Sequence, residues 1–166
     1  MKVNVVSGDI SKVKSDSMIT AINSSGMWFG GIDGVIRRTR GNIFHSSLAM
    51  KNELKEGVAY FIPGTSTHDS FENVIFVIDN LKLKLHEIIF SGLECAEKNE
   101  QEKVTLPTIR MGVMLGVVEK SEDEAIDEMV KGVEMFKKPT PLFVKEIEFV
   151  VYGNNEVVDK LRKRFE

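Results

Sequence analysis

Apolar residues along the chain fall into short, nearly continuous runs that alternate with longer segments in which they recur at helical spacing. The short runs predict strands covered on both faces, because a strand with one solvent face alternates apolar and polar residues. They lie at 2–6, 17–22, 58–62, 73–78, 103–106 and 146–152. The longer segments predict helices at 32–40, 43–54, 84–98 and 154–165, with one more that begins after an N-cap at Ser121.

This alternation predicts an α/β fold in which a mostly parallel sheet has helices on both faces. No shift in composition and no internal repeat divides the chain, so we expect one domain spanning residues 1–166. In a sheet of this kind, ligands bind beyond the carboxyl ends of the strands. The segments that follow the predicted strands are therefore the places to look for chemistry.

Composition limits the classes of function. The chain has 166 residues and a formal net charge of −3, which argues against a dedicated nucleic-acid-binding protein. Cys95 is the one cysteine and cannot form an internal disulfide. His45, His68 and His86 share no ligand spacing, so we expect surface or half-buried histidines, no metal site and no cofactor. No apolar stretch is long enough for a membrane span or a signal peptide, which favours a cytoplasmic protein without membrane partners.

Asp9 follows the first predicted strand, within Gly8-Asp9-Ile10. A carboxylate there can accept a hydrogen bond from an exocyclic amine such as that of adenine. The alternative is a residue that caps a turn or a short helix, which is the commoner role of an aspartate after a strand. The residue alone leaves both interpretations open.

Two further segments combine polar side chains with glycine. Asn23 ends the second strand, and Asp33 opens a helix ten residues later, after Gly30 and Gly31. Consecutive glycines let the backbone approach a ligand and point N–H groups at an anion, whereas the alternative roles are a turn for Asn23 and a helix-dipole contact for Asp33. The segment 106–116 follows the fifth strand and has glycines near both ends. It is either a pyrophosphate-binding loop or an apolar connection.

Together, these segments resemble a macro domain, the ADP-ribose-binding module. Gly8-Asp9-Ile10 matches the family's G-D-I. Segments 20–24 and 28–34 are similar to the family's N-A-A-N-S and G-G-G-G-[VI]-D-G, with the ten-residue separation of Asn23 and Asp33 kept. Segment 106–113 is similar to F-P-A-I-S-T-G-[VI]-[YF]-G. The resemblance implies a three-layer α/β/α sandwich with a mixed, mostly parallel central sheet.

The resemblance also implies a role for each matching residue. Asp9 would hold the adenine amine, with the backbone N–H of Ile10 beside it, and Tyr152 would lie next to the adenine. Gly112 and Val113 would form the phosphate loop.

At the other end of the ligand, Asn23 and Asp33 would face the distal ribose as the catalytic pair. Gly30 and Gly31 would line that ribose and the adjacent phosphate. Several residues depart from the family pattern around this end of the site. They are Thr20 for the first asparagine, Trp28 and Phe29 for two glycines, Arg37 for a histidine, Arg110 and Met111 for a small Ser-Thr pair, and Met114-Leu115 for a single aromatic residue.

Three hypotheses follow from the resemblance and its departures. The first is an enzyme that hydrolyses an ADP-ribosyl-protein bond or an ADP-ribose phosphate or acyl ester, with Asp33 orienting water as a general base and Asn23 fixing the ribose. The second is a reader of ADP-ribose or ADP-ribosylated protein without catalysis. The third is a fold reused for another nucleotide or for protein association, with Trp28 and Phe29 capping the cleft or anchoring a partner.

Overall fold

The computed structural model describes residues 1–26, 31–65, 69–112 and 114–166. Within these ranges the strands are β1 (Lys2–Ser7), β2 (Ser15–Ile22), β3 (Ala59–Ile62), β4 (Phe71–Ile78), β5 (Lys103–Leu106) and β6 (Glu146–Val151). The helices are α1 (Ile32–Arg40), α2 (Ile43–Ala49), α3 (Leu85–Lys98), α4 (Glu122–Lys137) and α5 (Asn155–Phe165). None of the helices in these ranges is both long enough and apolar enough to cross a bilayer.

The strands form one sheet in the order β1-β6-β5-β2-β4-β3. β3 runs antiparallel to β4, and every other neighbouring pair is parallel. The predicted mixed, mostly parallel sheet is therefore confirmed. Since β1, β2, β5 and β6 run in the same direction, the segments that follow them meet at one edge of the sheet.

The sheet separates two apolar cores, which explains why its strands have continuous apolar runs. In β2, Ile19 packs into the core formed with α3, α4 and α5, whereas its neighbour Met18 packs into the core formed with α1 and α2. Both side chains are fully buried. An alternating strand would leave one of these faces in water, so the sequence pattern and the three-layer arrangement agree.

Two helix ends follow the predicted signals, and one helix is shorter than predicted. α1 ends at Gly41, whose φ of 73° is in the left-handed region that glycine adopts without strain. Ser121 caps α4 by accepting a hydrogen bond from the backbone N–H of Glu124 at 3.1 Å. α2 ends at Ala49 rather than at residue 54, because the chain tightens into a turn in which the Lys51 N–H donates to Leu48 O. The next residue after the helix, Met50, is 84% exposed, so no buried apolar face extends the helix further.

Candidate active site

Two connected hollows lie at the carboxyl edge of the sheet. The larger, called here the long cleft, has a volume of about 430 Å³ and runs from the segment after β1 to the start of α1. The smaller, called here the inner pocket, has a volume of about 180 Å³ and lies against the segment after β5. Both are lined by Gly31, Ile32, Pro107 and Thr108. These shared walls make the two hollows one continuous site.

Asp9 lies in the wall of the long cleft and also caps a single 3-10 turn at Ile10–Lys12. Its Oδ1 accepts hydrogen bonds from the Ser11 N–H at 2.9 Å and the Ser11 hydroxyl at 2.7 Å. The hydrogen bonds from the Ser11 side chain and backbone lower the pKa of Asp9, because they stabilise the charged carboxylate. The capping role and a cleft-facing role therefore coexist in one residue. The Ile10 side chain is buried, and the residue lines the cleft beside Asp9.

Tyr152 lies at the rim of the long cleft, directly after β6. It is 83% exposed, whereas aromatic residues are usually at least partly buried. Arg38 of α1 also lines the cleft, and its charge contributes to the lowered pKa of Asp9. One end of the cleft thus presents a carboxylate, a guanidinium and an exposed aromatic ring.

Gly31 and Gly112 line the inner pocket, and the protein itself does not require glycine at either position. Apart from its own chain neighbours, a Cβ atom added to either residue would meet no atom of the described residues within 4 Å. Gly31 has a φ of −77°, which any L-residue adopts, and Gly112 has no left-handed backbone either. The protein's own packing does not need a glycine at these two positions, so the missing side chains leave open space in the site.

Asn23 follows β2 and takes part in a local turn. Its Oδ1 accepts hydrogen bonds from the Ser25 N–H at 3.1 Å and the Ser25 hydroxyl at 2.6 Å. The backbone carbonyl of Asn23 also accepts from the Gly26 N–H at 3.0 Å. The turn role considered for Asn23 is therefore present in the structure.

Asp33 lies in the first turn of α1, two residues after Gly31. Its Oδ1 is 3.0 Å from Nε2 of His45, which belongs to α2. Asp33 and His45 side chains are 14% and 8% exposed, so the contact is largely shielded from water. The expectation that His45 is a surface or half-buried residue is wrong, because the structure buries it. Its position between the buried Phe44 and Leu48 is the signal in the sequence that could have placed it inside.

Arg110 occupies a position where the resemblance leads one to expect a small residue, and the structure buries it. Its Nε and Nη2 donate to the two carboxylate oxygens of Asp79 at 3.0 and 2.7 Å, and its Nη1 donates to Glu119 at 3.0 Å. All three residues are at most 3% exposed. Burial disfavours the charged guanidinium, but the hydrogen bonds and charges of the two carboxylates outweigh it and raise the pKa of Arg110. The fully engaged guanidinium anchors the backbone that leads into Gly112.

Three other substituted positions, Thr20, Met111 and Met114, also line the inner pocket, and Thr20 is 2% exposed. Of the remaining predicted residues, Gly30, Val113, Trp28, Phe29 and His68 lie outside the described residues. Across the ranges that the structure covers, no three His, Cys, Asp or Glu side chains are grouped as a metal site would require.

No family model matches the chain. One relative, the O-acetyl-ADP-ribose deacetylase of Cronobacter turicensis, is 28% identical over 164 residues, which cover 91% of this chain and 89% of that protein. Another, the O-acetyl-ADP-ribose deacetylase 1 of Pantoea vagans, is 43% identical over 42 residues, or 25% of each chain. The first of these likenesses extends over most of both proteins.

Two macrodomains of known structure have a similar fold. The Trypanosoma brucei macrodomain in complex with ADP-ribose gives a TM-score of 0.79 at 16% identity, over 99% of this chain and 69% of that one. The Oceanobacillus iheyensis macrodomain with ADP gives 0.75 at 18% identity, over 97% and 88%. In one further structure of the Oceanobacillus protein, alanine replaces an asparagine. In another, alanine replaces an aspartate ten positions later in the chain. TM-scores of this size over nearly the whole chain show a shared fold.

Proposed function

Since the chain has the macrodomain fold, which confirms the resemblance drawn from its sequence, we propose that it binds ADP-ribose and hydrolyses a bond at the distal ribose. The long cleft takes the adenosine half of the ligand, and the inner pocket takes the pyrophosphate. The observation that carries this proposal is the open space in front of Gly31 and Gly112, two glycines that the protein's own packing and backbone do not explain.

Recognition of the adenine rests on Asp9 and Tyr152. The Asp9 carboxylate lines the cleft as a charged acceptor, which suits the exocyclic amine of adenine and repels the carbonyl that guanine carries in its place. The exposed ring of Tyr152 offers a flat surface for the base at the rim. Arg38, in the same wall, supplies a cation for the phosphate next to the adenosine.

Recognition of the pyrophosphate rests on the glycine positions. Gly31 precedes α1 and lines the inner pocket with Ile32, so the positive end of that helix lies at the pocket. Gly112 lies across the pocket, in the segment that Arg110 anchors to Asp79. A ligand phosphate between the two glycines can approach the backbone from both sides.

Hydrolysis rests on Asp33 and Asn23. In the proposed reaction Asp33 takes a proton from a water molecule, whose oxygen attacks the carbon of the ester bond at the distal ribose. The bond to the leaving oxygen breaks, and that oxygen receives the proton. Asn23 fixes the ribose hydroxyls, which holds the reacting bond near Asp33. The ten-residue separation of Asn23 and Asp33 equals that of the two positions replaced by alanine in the Oceanobacillus macrodomain.

One observation favours the second hypothesis, a reader without catalysis. The side-chain oxygen of Asn23 is held by Ser25, and one carboxylate oxygen of Asp33 is held by His45. Polar groups that the protein itself already engages can line a ligand site without taking part in a reaction. The name and coverage of the Cronobacter turicensis relative support the enzyme over the reader.

Titration calorimetry with ADP-ribose, followed by single-turnover assays, tests the proposal. The assays use O-acetyl-ADP-ribose and an ADP-ribosylated protein, with Asp33→Asn as the matched variant because an asparagine oxygen can still accept from His45. We expect micromolar binding by both proteins and turnover by the wild type alone. Binding without turnover in the wild type identifies a reader, and absence of binding overturns the proposal as a whole.

A further inference from the structure

The segment that follows β4 contacts the segments that follow two other strands. It comprises Asp79, Asn80 and Leu81 and is called here the β4 connector. The Asp79 N–H donates to Ile22 O at 2.8 Å, which continues the pairing of β2 and β4 to the ends of both strands. The connector therefore lies at the carboxyl edge of the sheet, beside the start of the turn that contains Asn23. The proposed function gives it no role.

Asn80 joins the connector to the turn that contains Asn23. Its Oδ1 accepts a hydrogen bond from the Ser24 N–H at 3.0 Å, across 56 positions in the sequence. The hydrogen bonds of Asn23 with Ser25 and Gly26 lie within the turn and give it its shape. The hydrogen bond to Asn80 instead ties the turn to the end of another strand. It therefore bears on where the turn, and with it the Asn23 side chain, lies in the site.

Contacts with other residues hold the backbone of the connector. The Asn80 N–H donates to Oε2 of Glu56 at 2.7 Å. The next residue, Leu81, has a φ of 62°, a left-handed conformation that is an outlier for a bulky aliphatic residue. Its N–H donates to Oδ1 of Asp79 at 2.9 Å, and such a conformation persists only where the surrounding contacts maintain it. Contacts rather than backbone preference therefore determine the conformation of the connector.

Asp79 joins the same connector to the segment that leads into Gly112. Its two carboxylate oxygens accept hydrogen bonds from Nε and Nη2 of Arg110 at 3.0 and 2.7 Å. Because β2 lies between β4 and β5 in the sheet, this guanidinium reaches past the end of β2 to meet Asp79. Two successive side chains of the connector thus contact the two segments to which the proposed function assigns the distal ribose and the pyrophosphate.

We infer that Asn80 is a positioning residue for the distal ribose. Through Ser24 it sets the position of the Asn23 side chain relative to the pyrophosphate-binding segment, which Asp79 and Arg110 hold. This inference rests on the proposed function, because Asn23 must contact the distal ribose for its position to matter. Asn80 acts through Asn23 and not on the ligand.

The experiment compares ADP-ribose with ADP, which lacks the distal ribose. The ratio of their two dissociation constants reports contacts with that ribose, and titration calorimetry gives both without any turnover. The proteins are the wild type, Asn80→Ala, Asn23→Ala and the variant that combines the two substitutions. Asn80→Asp keeps an oxygen that can accept from the Ser24 N–H. Asn99→Ala is the control, because that amide donates to Cys95 O at 2.8 Å, at the opposite end of α3 from the connector.

We expect Asn80→Ala to bind ADP-ribose about five-fold more weakly than the wild type, the size expected for the loss of one hydrogen bond. Its affinity for ADP should not change, because ADP does not extend to the turn that contains Asn23. Asn80→Asp should restore the preference for ADP-ribose, since its added charge acts on the two phosphates that both ligands carry. In the presence of Asn23→Ala, Asn80→Ala should have no further effect, because the residue through which it acts is gone. Asn99→Ala should bind both ligands as the wild type does.

If the wild type prefers ADP-ribose to ADP and Asn80→Ala keeps the same preference, this inference is overturned and the proposed function stands. Independent losses from Asn80→Ala and Asn23→Ala overturn the inference as well, since Asn80 then acts by another route. If the wild type binds ADP-ribose no more tightly than ADP, Asn23 does not hold the distal ribose, and the inference fails together with that assignment. If the wild type binds neither ligand, the inference and the proposed function are both overturned.

Discussion

Nε2 of His45 lies 3.0 Å from Oδ1 of Asp33, so α2 holds the carboxylate that the first turn of α1 presents. The imidazole ring is fixed in turn by an edge contact with Phe76, at a centroid distance of 5.3 Å. His45 is thus a positioning residue. It acts on the proposed reaction through the orientation of Asp33 and contacts no ligand itself.

Replacing His45 with phenylalanine keeps the ring in the core and removes the hydrogen bond to Asp33. We expect the free energy of unfolding to fall by about 1–3 kcal/mol, because a mostly buried carboxylate oxygen loses a donor. Urea unfolding measures this loss, and single-turnover kinetics should show a lower kcat with little change in KM. His45→Gln, which retains an N–H donor, should recover part of both. Equal kcat in all three proteins would contradict a positioning role.

The buried contacts of Arg110 with Asp79 and Glu119 predict a large effect on stability. In Arg110→Met the two carboxylates remain buried without their partner, which typically costs about 3–5 kcal/mol. The control is Arg164→Met, because Arg164 makes an exposed ion pair with Asp127 at 2.6 Å and its loss should cost under about 1 kcal/mol. Chemical denaturation of the two variants compares these losses. Similar losses would show that the buried cluster does not anchor the segment before Gly112.

Asp9 allows ligand binding and local structure to be separated. In Asp9→Asn the side-chain oxygen still accepts from the Ser11 N–H, so the cap and the stability should persist. The charge is lost, and affinity for ADP-ribose should fall about ten-fold, as expected for a hydrogen bond to a charged acceptor. Titrations with the guanine analogue provide the control, because discrimination against it should shrink in the variant. An unchanged affinity for ADP-ribose would remove Asp9 from the site.

The lowered pKa of Asp9 also sets a pH dependence. The pKa of Asp9 lies below the usual value of 3.8, so the side chain is a carboxylate above pH 3.8. It becomes protonated only as the pH falls through the lower folded-state pKa. The Asp9 contribution to ADP-ribose affinity should therefore be the same from pH 8 to pH 5. A decline across that range that is absent from Asp9→Asn would contradict the assignment.

Tyr152 should matter for the ligand and not for the fold. Its side chain is 83% exposed, so Tyr152→Ala should leave the unfolding midpoint unchanged. Loss of a stacking surface for the base should weaken ADP-ribose binding by roughly 1–3 kcal/mol, the range known for bases stacked on aromatic side chains. Tyr152→Phe keeps the ring and should bind as the wild type does. Equal binding by the alanine variant would mean that the ring does not contact the adenine.

The fold could be predicted from the sequence because its signals are local. The apolar run of β2 indicates burial on both faces, and Ser121 and Gly41 indicate where helices begin and end. The Gly8-Asp9-Ile10 motif likewise placed Asp9 at the carboxyl edge of the sheet.

The contacts that organise the site could not be predicted, because they join residues that are distant in sequence. Asp79, Arg110 and Glu119 each look like ordinary surface charges, and only the fold brings them together in the interior. The contact between Asp33 and His45 depends on how α1 and α2 pack, which the spacing of apolar residues does not determine. α2 was predicted too long for a different reason. The turn that follows Ala49 contains no glycine or proline, so the sequence gives no signal that the helix ends there.

The central claim is that the space in front of Gly31 holds ADP-ribose. Gly31→Val tests it most directly, because the backbone there suits any residue and, among the described residues other than its chain neighbours, no protein atom lies within 4 Å of the added Cβ. We predict that the variant unfolds at the same temperature as the wild type and binds ADP-ribose at least about ten-fold more weakly, since its side chain enters the ligand's space. Equal dissociation constants for ADP-ribose in calorimetric titrations of the two proteins would contradict the claim.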